Sequence, residues 1–187
     1  MAYSSGFNPH PRISYAGAAP TGSASEAEYL EIALAEIVDP AAVHTLLEEA
    51  LPDGLDVLEV VESAGGSLAD LLEASHWLLE VSAPLDEVQP AVERFLAEAE
   101  VAVERMTKKG LRTFDCRAAV VSLTAGPGDR GARLDVVLRH GVPSVRPDDV
   151  LTGLRAVTGL ATGESALLTR LAQGRLEPDG TVSDPLA

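Results

Sequence analysis

Cysteine is almost missing from this chain: Cys116 is the only one in 187 residues. A single thiol forms no internal disulfide, which suits a cytosolic protein. It also cannot hold a cysteine-ligated iron–sulfur cluster or a zinc ribbon within one chain. Aromatic residues are scarce at 4%, so the core is expected to be mostly Leu, Val and Ala. Basic residues are few as well: 14 Lys and Arg stand against 29 Asp and Glu, a net charge of -15. That balance opposes non-specific binding to nucleic acid or anionic membrane, although it allows a local basic patch. No apolar run approaches the roughly 20 residues of a membrane span. The opening residues lack the basic-then-apolar pattern of a secretion signal, so a cytoplasmic location is expected. A Gly-rich phosphate loop is also missing, because Gly126-Pro127-Gly128 has neither strand–helix context nor a following lysine.

What is present is enough for one large domain or two small ones, with 46% hydrophobic residues to bury. Residues 12–18 read as a strand, and Leu30, Ile32 and Leu34 alternate in a second strand over 28–35. Asp39-Pro40 reads as a helix start, with Asp capping and Pro in the first turn. Val43, Leu46, Leu47 and Ala50 follow at helical spacing, and residues 55–62 read as a further strand. Strand, strand, helix, strand is a β-α-β-β-α-β unit without its first strand and helix. After a connection over 63–75, strands are expected at 76–82, 101–106, 113–124, 133–139 and 167–172. Helices are expected over 85–98 and from Pro147, and Gly126 to Asp129 read as a loop. The fold class predicted is α+β: two ferredoxin-like antiparallel units with helices on one face. The first, over 1–65, is incomplete; the second spans 76–175, and 176–187 is expected to be a loose tail.

Two segments concentrate polar chemistry. In the first, Pro9 and Pro11 fix two φ angles and push Asn8 and His10 toward extended backbone, and Gly6 permits the preceding turn. The result is a stiff loop presenting Asn8, His10 and Arg12 ahead of a strand. The Arg12 fork suits phosphate or carboxylate. His10 suits acid–base work near neutral pH, ligand contact or locking of the loop, while Asn8 suits ligand contact or capping of its own turn. In the second, Arg105, Lys108, Lys109, Arg112 and Arg117 form the densest basic cluster, read either as a phosphate contact or as protection of a sheet edge. Asp115 and Arg117 are two apart on a predicted strand, so a surface ion pair and a ligand site are both open readings. Cys116, between them, reads as a buried inert thiol, Trp77 as core, and His44 and His76 as structural. His140 reads as turn chemistry.

The block Tyr3-Ser4-Ser5-Gly6-Phe7-Asn8-Pro9-His10-Pro11-Arg12-Ile13-Ser14 resembles the radical SAM-linked protein family, the domain of unknown function 2344. Lys109-Gly110 with Asp115-Cys116-Arg117, and Arg146-Pro147-Asp148-Asp149, are similar to later blocks of that family. The resemblance implies a radical SAM protein, encoded nearby or fused, as partner, and a genetic neighbourhood of ribosomal proteins and a ribonuclease, which makes RNA a candidate ligand. It also implies a strand and helix ahead of the Tyr3 block, so an incompletely covered apolar face is expected on the first sheet. With one cysteine the chain is not itself a radical SAM enzyme. The expectation is therefore a non-catalytic accessory or substrate-binding protein. It carries no cofactor and no metal, and it contacts its partner through Asn8, His10, Arg12, Lys109, Arg112, Asp115 and Arg117. A free-standing RNA-binding module is the first alternative, and a small enzyme built on His10 and Asp115 is the second.

Overall fold

The computed structural model describes residues 1–107, 110–162 and 166–187, an α+β chain that divides into two compact units. One comprises residues 1–18 and 29–70 with Leu186; the other comprises 19–28 and 71–185 with Ala187.

In the first unit, β1 (Ile13–Ala16) pairs antiparallel with β3 (Tyr29–Ile32). Register places Ile13 opposite Ile32 and Tyr15 opposite Leu30, so these four apolar side chains share one face of a two-stranded ribbon. The face is incompletely covered, as expected: Ile13, Tyr15 and Leu30 are 52%, 55% and 47% exposed. Helix α1 (Pro40–Ala50) starts as its sequence dictates. The Asp39 carboxylate accepts from Ala41 N–H at 3.0 Å, and Pro40 occupies a position whose N–H would have no intrahelical partner. Only Val43 of this helix is buried. Residues 55–62 are not the strand that their composition suggests, because among the described residues no strand pairs with them. Instead His44 Nε2 donates to Val57 O at 2.7 Å, and Glu48 Oε1 accepts from Val57 N–H. Two side chains one helical turn apart thus take the place of a ladder partner.

The second unit holds the core. After β2 (Ala24–Ser25), and a short α2 (Leu68–Leu71) that spans the boundary between the units, the chain runs β4 (Ala74–Val81), α3 (Leu85–Ala97), a ribbon of β5 (Ala102–Thr107) and β6 (Gly110–Asp115), and β7 (Val120–Gly128). It continues through β8 (Gly131–Arg139), α4 (Pro147–Thr158), β9 (Leu167–Leu176) and β10 (Val182–Ser183). The sheet order is β10-β9-β4-β8-β7, every neighbour antiparallel, with β2 added parallel to β9. Strict alternation sends Trp77, Leu79 and Val81 of β4 inward with Leu134 and Val136 of β8. Val88, Val92 and Phe95 of α3 and Val150 and Leu154 of α4 close over them. Helix α3 runs on through Pro90, at its sixth position, where the ring removes a hydrogen-bond donor.

Three expectations need correction here. Residues 113–124 do not form one strand: a 3₁₀ turn over Arg117–Ala119 breaks it, and Cys116 sits before that turn rather than within a strand. Gly126, Pro127 and Gly128 belong to β7, and the reversal falls at Asp129 and Arg130. The segment expected as a loose tail carries β10, whose Val182 and Ser183 pair with Leu176 and Arg175.

Candidate functional site

The loop over residues 3–12 is tied at its base and free at its tip. Ser4 N–H donates to His10 O at 2.9 Å, His10 N–H donates to Ser4 Oγ at 3.0 Å, and Tyr3 bridges Pro11. Below this, Arg12 N–H donates to Ala2 O and Ala33 N–H donates to Arg12 O, both at 2.9 Å, which continues the β1–β3 ribbon to the loop. Gly6 adopts φ +135°, a conformation that L side chains rarely take. Everything between the ties faces solvent: Asn8, His10 and Arg12 are exposed, and Phe7 is fully so. Among the described residues their side chains make no hydrogen bond or ion pair. A loop of fixed shape thus presents an aromatic ring, an amide, an imidazole and a guanidinium. Phe7 is the residue that reasoning from polar chemistry alone leaves out, and the aromatic between Gly6 and Pro9 was its signal.

The predicted second patch divides by role. Lys109 lies outside the described residues. Arg112 is exposed on β6 directly opposite Arg105 of β5. Arg105 itself is committed: it pairs with Asp149, donates to Ser144 O at 2.9 Å, and lies 4.9 Å from the centre of the Phe114 ring. Burial pushes the Asp149 carboxyl upward, against the Arg146 N–H bond and the Arg105 charge that pull it down. Asp115 does not pair with the Arg117 guanidinium; its Oδ1 accepts from the N–H groups of Val101 and Arg117, both at 2.9 Å. Arg117 reaches inward to donate to Val120 O at 3.1 Å and to Leu96 O at 3.3 Å. The second bond caps a free carbonyl at the end of α3. Cys116 is fully buried and its thiol is pushed up to about 12, chiefly by desolvation and then by Asp115 and Asp149. A thiol held in that state is a poor nucleophile at neutral pH. The loop residues and Arg112, Asp115 and Arg117 belong to different units.

A buried polar network in the second unit escaped the sequence reading. Arg170, 2% exposed, donates to Ser25 Oγ at 3.0 Å and to Gln173 Oε1 at 3.1 Å, pairs with Glu28, and lies 5.5 Å from the centre of the Trp77 ring. Gln173 Nε2 donates to Ala27 O at 2.8 Å. Together these bonds fasten residues 24–28 to β9. Close by, Trp77 Nε1–H donates to Ser75 Oγ at 2.8 Å, and Ser75 Oγ lies 3.1 Å from His140 Nε2. His140 Nδ1 donates to Leu72 O at 2.7 Å, so Nε2 of the neutral ring is left to accept from Ser75. Burial lowers the His140 pKa and the Arg170 charge adds to this, while the bond to Leu72 O acts the other way. Every polar partner is satisfied, and the network acts as a lock rather than an open pocket. Arg170 and Gln173, three apart among the apolar residues of β9, were the available signal.

Among the described residues no group of three or more His, Cys, Asp or Glu is placed to hold a metal ion. No helix among them is long and apolar enough to cross a membrane. No curated protein and no solved structure matches the chain. A family model does, over residues 1–147, which takes in the 3–12 loop, the β5–β6 ribbon and the start of α4. The chain therefore belongs to a family of uncharacterized proteins conserved in bacteria, DUF2344.

Proposed function

We propose that this chain is a non-catalytic accessory protein that binds a radical SAM enzyme, or the substrate of one, through the 3–12 loop. The observation that carries the reading is the loop's geometry. It is closed by the Ser4–His10 bonds, and its Phe7, Asn8, His10 and Arg12 side chains are exposed and unengaged among the described residues. Exposing a large aromatic ring on a loop held in one shape has no use in folding, but it lowers the ordering cost of binding. An aromatic beside an arginine is the composition that anchors interfaces. The enzyme as partner rests on the resemblance of the Tyr3 block. We also take the second unit as ferredoxin-like. Its β4-α3-β7-β8-α4-β9 connection and β9-β4-β8-β7 order support this, and the β5–β6 ribbon is an insertion before β7. The cytoplasm is the location that fits a chain with one buried thiol.

The test is co-purification of the tagged chain with a radical SAM protein of the same genome, for wild type and for the double variant F7A/R12A. Capture should fall about tenfold or more in the variant while its Tm is unchanged, since neither side chain supports the fold. Undiminished capture overturns the loop as the contact, and an equal loss of capture and Tm makes the loop structural.

RNA binding is the second reading, favoured by the exposure of Tyr3, Phe7 and Tyr15 near Arg12. If RNA is the ligand, affinity falls steeply with salt, because released counterions drive phosphate contacts. The third reading, catalysis by His10 and Asp115, has no observation in its favour.

A further inference from the structure

Residues 55–62, Leu-Asp-Val-Leu-Glu-Val-Val-Glu, form a surface apart in sequence from the 3–12 loop and independent of the function proposed for it. They have the composition of a strand and, among the described residues, no strand to pair with. His44 and Glu48 hold them at Val57. Beyond that point, among the described residues, the backbone of residues 58–62 makes no hydrogen bond. Leu58 is 83% exposed, and Leu55 and Val61 are exposed with it. Beside this segment and the start of α1 lies an open groove of about 610 Å³. Pro40, His44, Leu58 and Val60 line it, with Asp39 and Glu59 as its acidic members.

Charge selects the occupant. From Ile13 to Glu93 the chain carries seventeen Asp and Glu and no Lys or Arg, and ten of those acids fall in residues 29–70 of this unit. Such a surface repels phosphate backbones and anionic lipid. A second copy of the chain, also at -15, is repelled as well. We propose that residues 55–62 complete a β-ladder with an extended, basic segment of another protein, one that alternates Lys or Arg with Val, Ile or Leu. The unpaired backbone of residues 58–62 supplies the ladder bonds. Leu58 and Val60, which share a strand face, receive the partner's apolar side chains, and Glu59, on the opposite face, meets its cations. Main-chain pairing then gives affinity while the groove and the charges give selectivity.

The probe is the amidated octapeptide (Lys-Val)4, titrated into the whole chain by calorimetry, with amide hydrogen exchange read residue by residue. We expect saturable binding that slows exchange at residues 58–62 about tenfold or more. E59K should weaken it about tenfold, and V60P, which removes a ladder N–H, should abolish the protection with Tm unchanged. The F7A/R12A protein should bind the octapeptide normally, so failure of this inference and failure of the loop reading remain distinguishable. The inference is overturned if (Lys-Ser)4 or (Glu-Val)4 binds as well as (Lys-Val)4, if protection falls in another segment, or if poly-U RNA competes for the same residues.

Discussion

His140 shows how far the role of a single side chain depends on its surroundings. By sequence it ends a strand beside Gly141 and reads as part of a turn. In the fold it links Leu72 O to Ser75 Oγ, and through Ser75 it reaches the indole of Trp77. Both ring nitrogens are engaged in a pattern that the neutral imidazole satisfies, Nδ1 donating and Nε2 accepting, and desolvation with Arg170 lowers its pKa. The consequence for stability has a definite sign. Between the lowered folded pKa and the unfolded value of about 6.5, the unfolded chain binds more protons than the folded one. The contribution is therefore complete above pH of about 6.5 and lost as the pH falls through the folded pKa. Asp149, raised by burial, acts with the opposite sign in the acid range above its ordinary value of 3.8. Urea denaturation from pH 7.5 to 5 should show wild-type stability declining, and H140N should flatten that slope while losing some stability throughout. Parallel slopes would assign the pH dependence to another group. Arg170 was harder to foresee for a backbone reason. The β9 register slips between His76 and Trp77, which sets Arg170 rather than Leu171 opposite Trp77 and turns a guanidinium into the core.

At the level of elements, the legible part of the chain was whatever local chemistry decides. Asp39-Pro40 opened a helix, residues 76–82 marked most of β4, and Pro147 opened α4, with Asp149 accepting from Arg146 N–H at 2.7 Å. Residues 55–62 failed as a strand because pairing is a non-local decision: their composition permits a ladder, but His44 and Glu48 of α1 take Val57 first. The 3–12 loop was legible through its prolines and glycine, whereas the inward commitments of Asp115 and Arg117 depended on where α3 ends. Helix α4 supplies a test of packing against propensity. Gly153 lies in its middle, and a Cβ there would fall 2.7 Å from Cys116 Sγ, 3.0 Å from Phe95 Cε2 and 3.1 Å from Val101 Cγ1. Replacing Gly by Ala in an exposed helix adds about 1 kcal/mol of stability. Overpacking a core costs about 1–3 kcal/mol, so G153A should be net destabilising here. Denaturant titration of G153A, C116A and the double variant gives the coupling. Removing Sγ should recover part of the G153A loss and leave the contacts with Phe95 and Val101. A G153A protein more stable than wild type would show that α4 shifts at little cost.

For the molecule as a whole, apolar burial is divided unequally between the two units. The continuous core, from Trp77 through Phe95 and Leu134 to Leu160, lies within the second unit. The first has a two-stranded ribbon with a half-exposed apolar face and a helix with one buried residue, Val43. An isolated two-stranded ribbon is marginal in water, because too little surface is buried to offset the entropy of ordering it. Charge acts in the same direction, since residues 29–70 carry ten acids and no Lys or Arg. The chain should therefore not unfold as one block. Native-state hydrogen exchange should find β1, β3 and α1 opening at a small fraction of the free energy that protects β4 and β8. Raising the salt concentration should slow exchange in the first unit, because screening over about 10 Å weakens repulsion among its carboxylates. Should the amides of β1, α1 and β4 instead exchange with one common free energy and no response to salt, the units would be a single cooperative body. The exposed face of the first would then be stabilised by forces that burial and charge do not describe. The expected outcome gives the first unit a physical reason to engage a partner. A unit that buries little by itself, and repels itself, gains most from apolar surface and positive charge supplied by another molecule.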